Sequence, residues 1–89
     1  MRKLLIVDDE LDVREFAANF FRKRKFDVIT ADHGEQALEL LEKEKPKLIL
    51  LDIKMKGRDG IEILTRIREK NKDVSVIMVT GKGPEEDES

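Results

Sequence analysis

Three acidic side chains and one hydroxyl stand where strands are expected to end. Asp8 and Asp9 follow the apolar run Leu4–Val7, Asp52 follows Leu48–Leu51, and Thr80 follows Val74–Val79. A fourth run, Phe26–Ile29, ends at Thr30 with no acid of its own. If the runs are parallel strands, their polar ends meet at the carboxyl edge of one sheet, where open α/β proteins bind ligands. Carboxylates about 5 Å apart repel by about 3 kcal/mol at an effective dielectric of about 20. A cation between them removes that cost. The pattern therefore predicts a divalent-metal site beside a carboxylate nucleophile.

Each residue has a place in such chemistry. Asp52, anchored at the end of a strand, is the expected nucleophile; a carboxylate attacking phosphorus forms a mixed anhydride. Mg²⁺ takes oxygen ligands, keeps several waters and uses one or two carboxylates. Asp8 and Asp9 can supply one ligand directly and one through water. Thr80 can donate a hydrogen bond to a phosphoryl oxygen, and Gly81 leaves room for its approach. Taken singly, each has an ordinary explanation: Asp52 caps a loop, Asp9 caps a helix, and Thr80 is a β-former. Their joint placement on three strand ends is what points to chemistry. His33, the only histidine, falls in a helix-opening turn away from this edge and reads as a surface residue.

The elements that must position these residues follow from periodicity. Lys3–Val7 is a continuous aliphatic run, as expected of a strand buried on both faces. A helix is predicted from Glu10 to about Arg24, with Val13, Phe16, Ala17 and Phe20 on its inner face. Phe26–Thr30 is a second strand. Asp32-His33-Gly34-Glu35 reads as a capping box opening a helix to about Glu44, with Ala37, Leu38, Leu40 and Leu41 apolar; Pro46 ends it. Lys47–Leu51 is a third strand, and Lys54–Gly60 a glycine-bearing loop. Asp59-Gly60-Ile61-Glu62 opens a helix to about Lys70, with Ile61, Leu64 and Ile67 on one side. Val74–Val79 is the fourth strand. Strands alternating with helices imply right-handed crossovers and a parallel sheet.

Composition narrows the classes. Eighty-nine residues make a single domain. Eighteen basic and 20 acidic residues give a net charge of −2, which argues against nucleic acid as the main ligand. The cluster Arg22-Lys23-Arg24-Lys25 reads as a solvated helix end, where cations complement the dipole. Absence of cysteine excludes disulfides and thiol chemistry and fits a reducing compartment. No apolar run reaches the ~18 residues of a membrane span. A soluble, cytoplasmic protein with no membrane association is expected.

The stretches LLIVDDE, LILLDIKMKGRDG and VIMVTG resemble, in order and spacing, the receiver domains of two-component response regulators. The resemblance runs from Lys3 to Gly81. It implies a flavodoxin-like doubly wound α/β fold with Asp52 as phosphoacceptor and Asp8 and Asp9 as the acidic Mg²⁺ site. It further implies that the backbone carbonyl of Lys54 completes the metal shell and that Thr80 is the switch hydroxyl. Lys54 and Lys82 then occupy variable positions that tune phosphoryl lifetime, and Lys56 stands where the family usually has proline. The implied function is Mg²⁺-dependent acceptance of a phosphoryl group from a sensor histidine kinase or phosphotransfer protein, with autophosphatase activity at most instead of enzymatic turnover.

The sequence stops before the family's fifth strand, which carries a lysine contacting the phosphoryl group, and before the helix after it. An incomplete sheet of order 2-1-3-4 is therefore expected, with a receiver unit over residues 1–81 and an acidic tail or the start of a next helix over 82–89. Slow or undetectable phosphorylation is expected of these 89 residues alone, because that lysine is absent. The rival reading is a phosphorylation-deficient receiver that acts as an interaction or dimerisation module through its exposed fourth strand. An Asp-nucleophile phosphohydrolase fits less well: that class needs a second carboxylate two residues past the nucleophile, and Lys54 stands there.

Overall fold

The computed structural model describes residues 2–52 and 60–79. In chain order the elements are β1 (Lys3–Val7), α1 (Leu11–Arg22), β2 (Asp27–Ala31), α2 (Gly34–Glu44), β3 (Leu48–Asp52), α3 (Gly60–Lys70) and β4 (Ser75–Val79). The strands form one parallel sheet of order β2-β1-β3-β4, as expected. Boundaries shift by a residue or two from the sequence reading. The largest consequence is that Asp52 is the last residue of β3, not the first beyond it.

Successive strand side chains point to opposite faces, so a strand in the middle of a sheet must be apolar on both. β1 meets that demand. Leu4 and Ile6 pack with Ala18 and Val28 on the side covered by α1. Leu5 and Val7 join Ile49, Leu51, Ala37, Leu38, Leu41, Ile63 and Ile67 on the side covered by α2 and α3. Each fully buried aliphatic side chain contributes about 1.5–3 kcal/mol. One helix on one face and two on the other make the sheet doubly wound.

The α1 helix turns a different face inward from the one predicted. Val13, Phe16 and Phe20 are 47%, 74% and 41% exposed. Ala18 is buried, and Ala17 and Phe21 pack beside it against the sheet. Short side chains at 17 and 18 let the helix axis approach β1 and β2 closely, whereas Phe16 in that position would hold it away. In α3, likewise, Ile61 is exposed while Ile63 and Ile67 are fully buried, with Leu64 against them.

Local signals account for the helix ends. His33, not Asp32, is the N-cap of α2: its Nδ1 accepts from the Gln36 N–H at 3.1 Å. Gln36 answers by accepting from the Asp32 N–H at 3.0 Å, so two orphan donors are satisfied reciprocally. At the other end Lys45 adopts a left-handed conformation (φ 52°) ahead of Pro46 and donates to the Leu41 carbonyl. The basic cluster after α1 is exposed, and Arg24 donates to the Phe20 carbonyl at 3.3 Å, in keeping with a cationic helix end. Asp59, the predicted cap of α3, lies outside the described residues, as do residues 82–89. Among the described residues no helix is long and apolar enough to cross a membrane.

Candidate functional site

Parallel pairing places the acids. β1 and β3 are in register with Val7 opposite Leu51, so the next residue along each strand direction, Asp8 and Asp52, falls at the same level of the sheet edge. The Asp8 N–H continues the ladder by donating to the Ala31 carbonyl at 3.1 Å. Asp9 follows in the turn into α1. One carboxylate oxygen from each of Asp8, Asp9 and Asp52 lies within 4.8 Å of the others. Sequence positions 44 residues apart are thus brought together by the hydrogen-bond ladder alone.

Two of the three carboxylates sit where water is scarce. Asp8 and Asp52 are each only 8% exposed. Burial pushes the Asp8 carboxyl above its ordinary range; the Glu10 N–H, donating to Asp8 Oδ1 at 2.9 Å, pulls it down; the charges of Asp52, Asp9 and Glu10 push it up again. The net direction is upward. A buried carboxyl crowded by like charges is a group whose energy falls when a cation arrives.

The donor set suits Mg²⁺. Oxygens in one octahedral shell at about 2.1 Å from the ion lie about 3.0 Å apart when adjacent and 4.2 Å when opposite. The spread of up to 4.8 Å is therefore compatible with one or two direct carboxylates and another reached through water. All three donors are hard oxygens, and carboxylate and water ligands favour Mg²⁺ over softer metals.

Sequence reasoning missed Arg14. Its Nη1 donates to the main-chain carbonyl of Asp8 at 2.8 Å, tying the first turn of α1 to the strand end that carries the acids. The signal was present in the inward side of α1, where Arg14 shares a face with Ala17, Ala18 and Phe21. Glu10 was read only as a helix start, yet its backbone N–H holds the Asp8 carboxylate. Thr80, Gly81, Lys54, Lys56 and Lys82 lie outside the described residues; Val79, which precedes Thr80, is the register partner of Asp52.

Residues 4–89 match the protein family described as the response regulator receiver domain. The chain is 42% identical over 81 residues to sporulation initiation phosphotransferase F of Bacillus subtilis (strain 168). The matched region is 91% of this chain, and the chain spans 65% of the length of that curated relative. Two crystal structures of the response regulator TrrA from Thermotoga maritima resemble it at 35% identity, covering 93% of this chain and 72% of theirs. One holds TrrA in complex with the histidine kinase ThkA (TM-score 0.86), the other in complex with Mg²⁺ and BeF (TM-score 0.87).

Proposed function

The chain belongs to the response regulator receiver family, and from that premise we propose that it accepts a phosphoryl group on Asp52 from the phosphohistidine of a sensor kinase or phosphotransfer protein. The observation that carries this reading is the buried carboxylate of Asp52 at a parallel sheet edge, with acidic oxygens of Asp8 and Asp9 within 4.8 Å. In the proposed step an Asp52 oxygen attacks phosphorus, the P–N bond breaks, and the imidazole leaves with its electron pair and takes up a proton. Asp8, Asp9, Asp52 and the Lys54 backbone carbonyl would hold Mg²⁺. That ion would neutralise charge on the phosphoryl oxygens. The ladder bonds of β1 and the Arg14 tie keep the Asp8 backbone fixed while this happens. The Thr80 hydroxyl would donate to a phosphoryl oxygen, and Lys54, Lys56, Gly81 and Lys82 would tune the lifetime of the acyl phosphate.

On this reading the protein is a substrate that is modified once and then hydrolysed, working in the cytoplasm with its kinase. The receiver unit is taken as residues 1–81, with 82–89 as an acidic tail or the start of a further helix. In a chain that extends through the family's fifth strand and its lysine, incubation with a phosphorylated kinase or acetyl phosphate in Mg²⁺, followed by borohydride trapping and mass spectrometry, should find a single modification at Asp52. Asp52→Asn should abolish it. Modification at another residue, or none with either donor, would overturn the reading.

The reading as an interaction module draws on one observation. Within the described sheet β4 pairs only with β3, and Ile77, Met78 and Val79 on it are 49%, 38% and 39% exposed. An apolar edge without charge, proline or bulge is a template for another strand. If that edge is the working surface, Ile77→Lys should reduce self-association and leave labelling of Asp52 intact.

A further inference from the structure

The amino edge of the sheet, opposite the acidic site, carries the chain's longest run of positive charge. Arg22, Lys23, Arg24 and Lys25 close α1. Arg2 stands just before β1, and its carbonyl accepts from the Asp27 N–H at 2.8 Å, which brings it beside the end of that run. All five cations are exposed. Asp27, two residues past Lys25, acts with its charge on Lys3. Arg2, Arg24 and Lys25, with Phe26, line a cavity of about 220 Å³. Among the described residues none of these three cations forms an ion pair. Complementing the helix dipole accounts for Arg24, which donates to the Phe20 carbonyl at 3.3 Å. It does not account for Arg2, which belongs to another element, or for Lys25. Lys25 holds φ 72°, a left-handed conformation that glycine takes freely and a residue with a Cβ takes at a cost.

The two guanidiniums rest on aromatic rings. Three of the four phenylalanines meet edge-on in a row, Phe20 with Phe21 at 5.0 Å and Phe21 with Phe26 at 5.5 Å. Arg24 lies over one end, 3.7 Å from the Phe20 centroid, and Arg2 over the other, 5.7 Å from the Phe26 centroid. Stacking engages the face of a guanidinium and leaves its N–H edge to bind. A side chain already held in this way loses less entropy when a ligand arrives. Two such forks and one ammonium around a small concavity suit a tetrahedral oxyanion. The cavity is smaller than the ~300–1,000 Å³ of pockets that enclose whole small molecules. It therefore takes a phosphate group and leaves whatever carries that group in solvent. A phosphate close to doubly charged at pH 7 gains more from three cations than a singly charged diester does.

We propose that the Arg2–Arg24–Lys25 cavity binds a phosphate dianion, free or as part of a small phosphomonoester. The site lies about 20 Å from the acidic trio, six residues along β1 at ~3.3 Å each. It stands whether or not Asp52 is phosphorylated.

The test is a titration of the whole chain with inorganic phosphate, followed by amide NMR shifts, with EDTA present and chloride added to hold ionic strength constant. Shifts should saturate, cluster on Arg2 and residues 24–26, and give a Kd on the order of 1 mM. Arg2→Gln and Arg24→Gln should each weaken binding about fivefold, with thermal melting to confirm that each variant is folded. Lys25→Gly should weaken it about threefold without lowering the melting temperature, since glycine accepts the left-handed backbone. Lys23→Gln removes the same charge outside the cavity and should change the Kd less than about twofold. Four variants that weaken binding alike would overturn the proposal, because charge alone would then explain it. So would shifts that fail to saturate or that spread over the whole basic run, as a solvated helix end would give. Glycerol 3-phosphate binding more tightly than phosphate assigns the site to an ester, and equal binding assigns it to free phosphate. Dimethyl phosphate, a singly charged diester, should bind at least about fivefold more weakly than either. If it binds equally well, the patch reads the charge of a nucleic-acid backbone and the proposal fails.

Discussion

At the scale of single residues, Asp8 is the side chain on which the metal-free protein is least comfortable. Burial and the neighbouring acids raise its pKa on folding, so the native state binds more protons than the unfolded chain between the two values. By linkage, its contribution to stability is complete below the unfolded pKa and is lost as pH rises through the folded one. Glu44 and Glu42 act with the opposite sign. Hydrogen bonds and charge from Lys3 (2.8 Å) and Lys70 (2.7 Å) hold them below the ordinary range. Their contribution is present above the unfolded value of about 4.3 and disappears as pH falls through the lowered ones. In metal-free buffer, urea midpoints should therefore rise on mild acidification and fall again in strong acid. Asp8→Asn should flatten the first of these limbs and leave the second. The same substitution should make the melting temperature indifferent to Mg²⁺, whereas the starting protein gains about 2.7 kcal/mol when the ion is present at a hundred times its Kd. A starting protein indifferent to millimolar Mg²⁺ would falsify the metal assignment.

At the scale of elements, the strands and the meeting of Asp8, Asp9 and Asp52 were legible because their signals are local or follow from one topological rule. A run such as Leu4–Val7 has no polar face to expose, so it must be central; parallel crossovers then bring Asp8, Asp9 and Asp52 to one edge with no further information. The inner face of α1 was not legible, because periodicity marks an apolar stripe without saying which of two stripes meets the sheet. There the deciding factor was how closely Ala17 and Ala18 allow the helix to approach, a property of the packed pair and not of the helix. Gln36 reaching past the N-cap to Asp32 is equally invisible to a fixed capping pattern. These distinctions carry measurable differences. Ile67→Ala, in the core beneath α3, should cost about 2–5 kcal/mol, and Phe16→Ala within about 0.5 kcal/mol of nothing. His33→Ala, which removes the acceptor for the Gln36 N–H, should cost about 1 kcal/mol. Chemical denaturation of the three variants, with equal m-values as a control, separates them; comparable losses at Phe16 and Ile67 would contradict the observed α1 orientation.

At the scale of the whole molecule, α1 on one face and α2 with α3 on the other enclose β1 completely, and β1 is the strand whose end carries two of the three acids. The two halves of the acidic trio also belong to strands that are neighbours in space but not in sequence, since β2 and two helices intervene between β1 and β3. Pairing of that kind is slow, because the intervening chain must be ordered before the contact is rewarded. The acidic trio therefore does not exist until the central ladder has closed, and no partly folded species that lacks β1–β3 pairing presents the three carboxylates together as the native state does. An interaction formed that late has a φ-value near zero and acts on escape from the native state, not on arrival. In a stopped-flow chevron, added Mg²⁺ should lower the unfolding limb and leave the refolding limb in place. An ion held by the trio, as proposed above, would then be a latch, indifferent to how fast the chain folds and decisive for how long it stays folded.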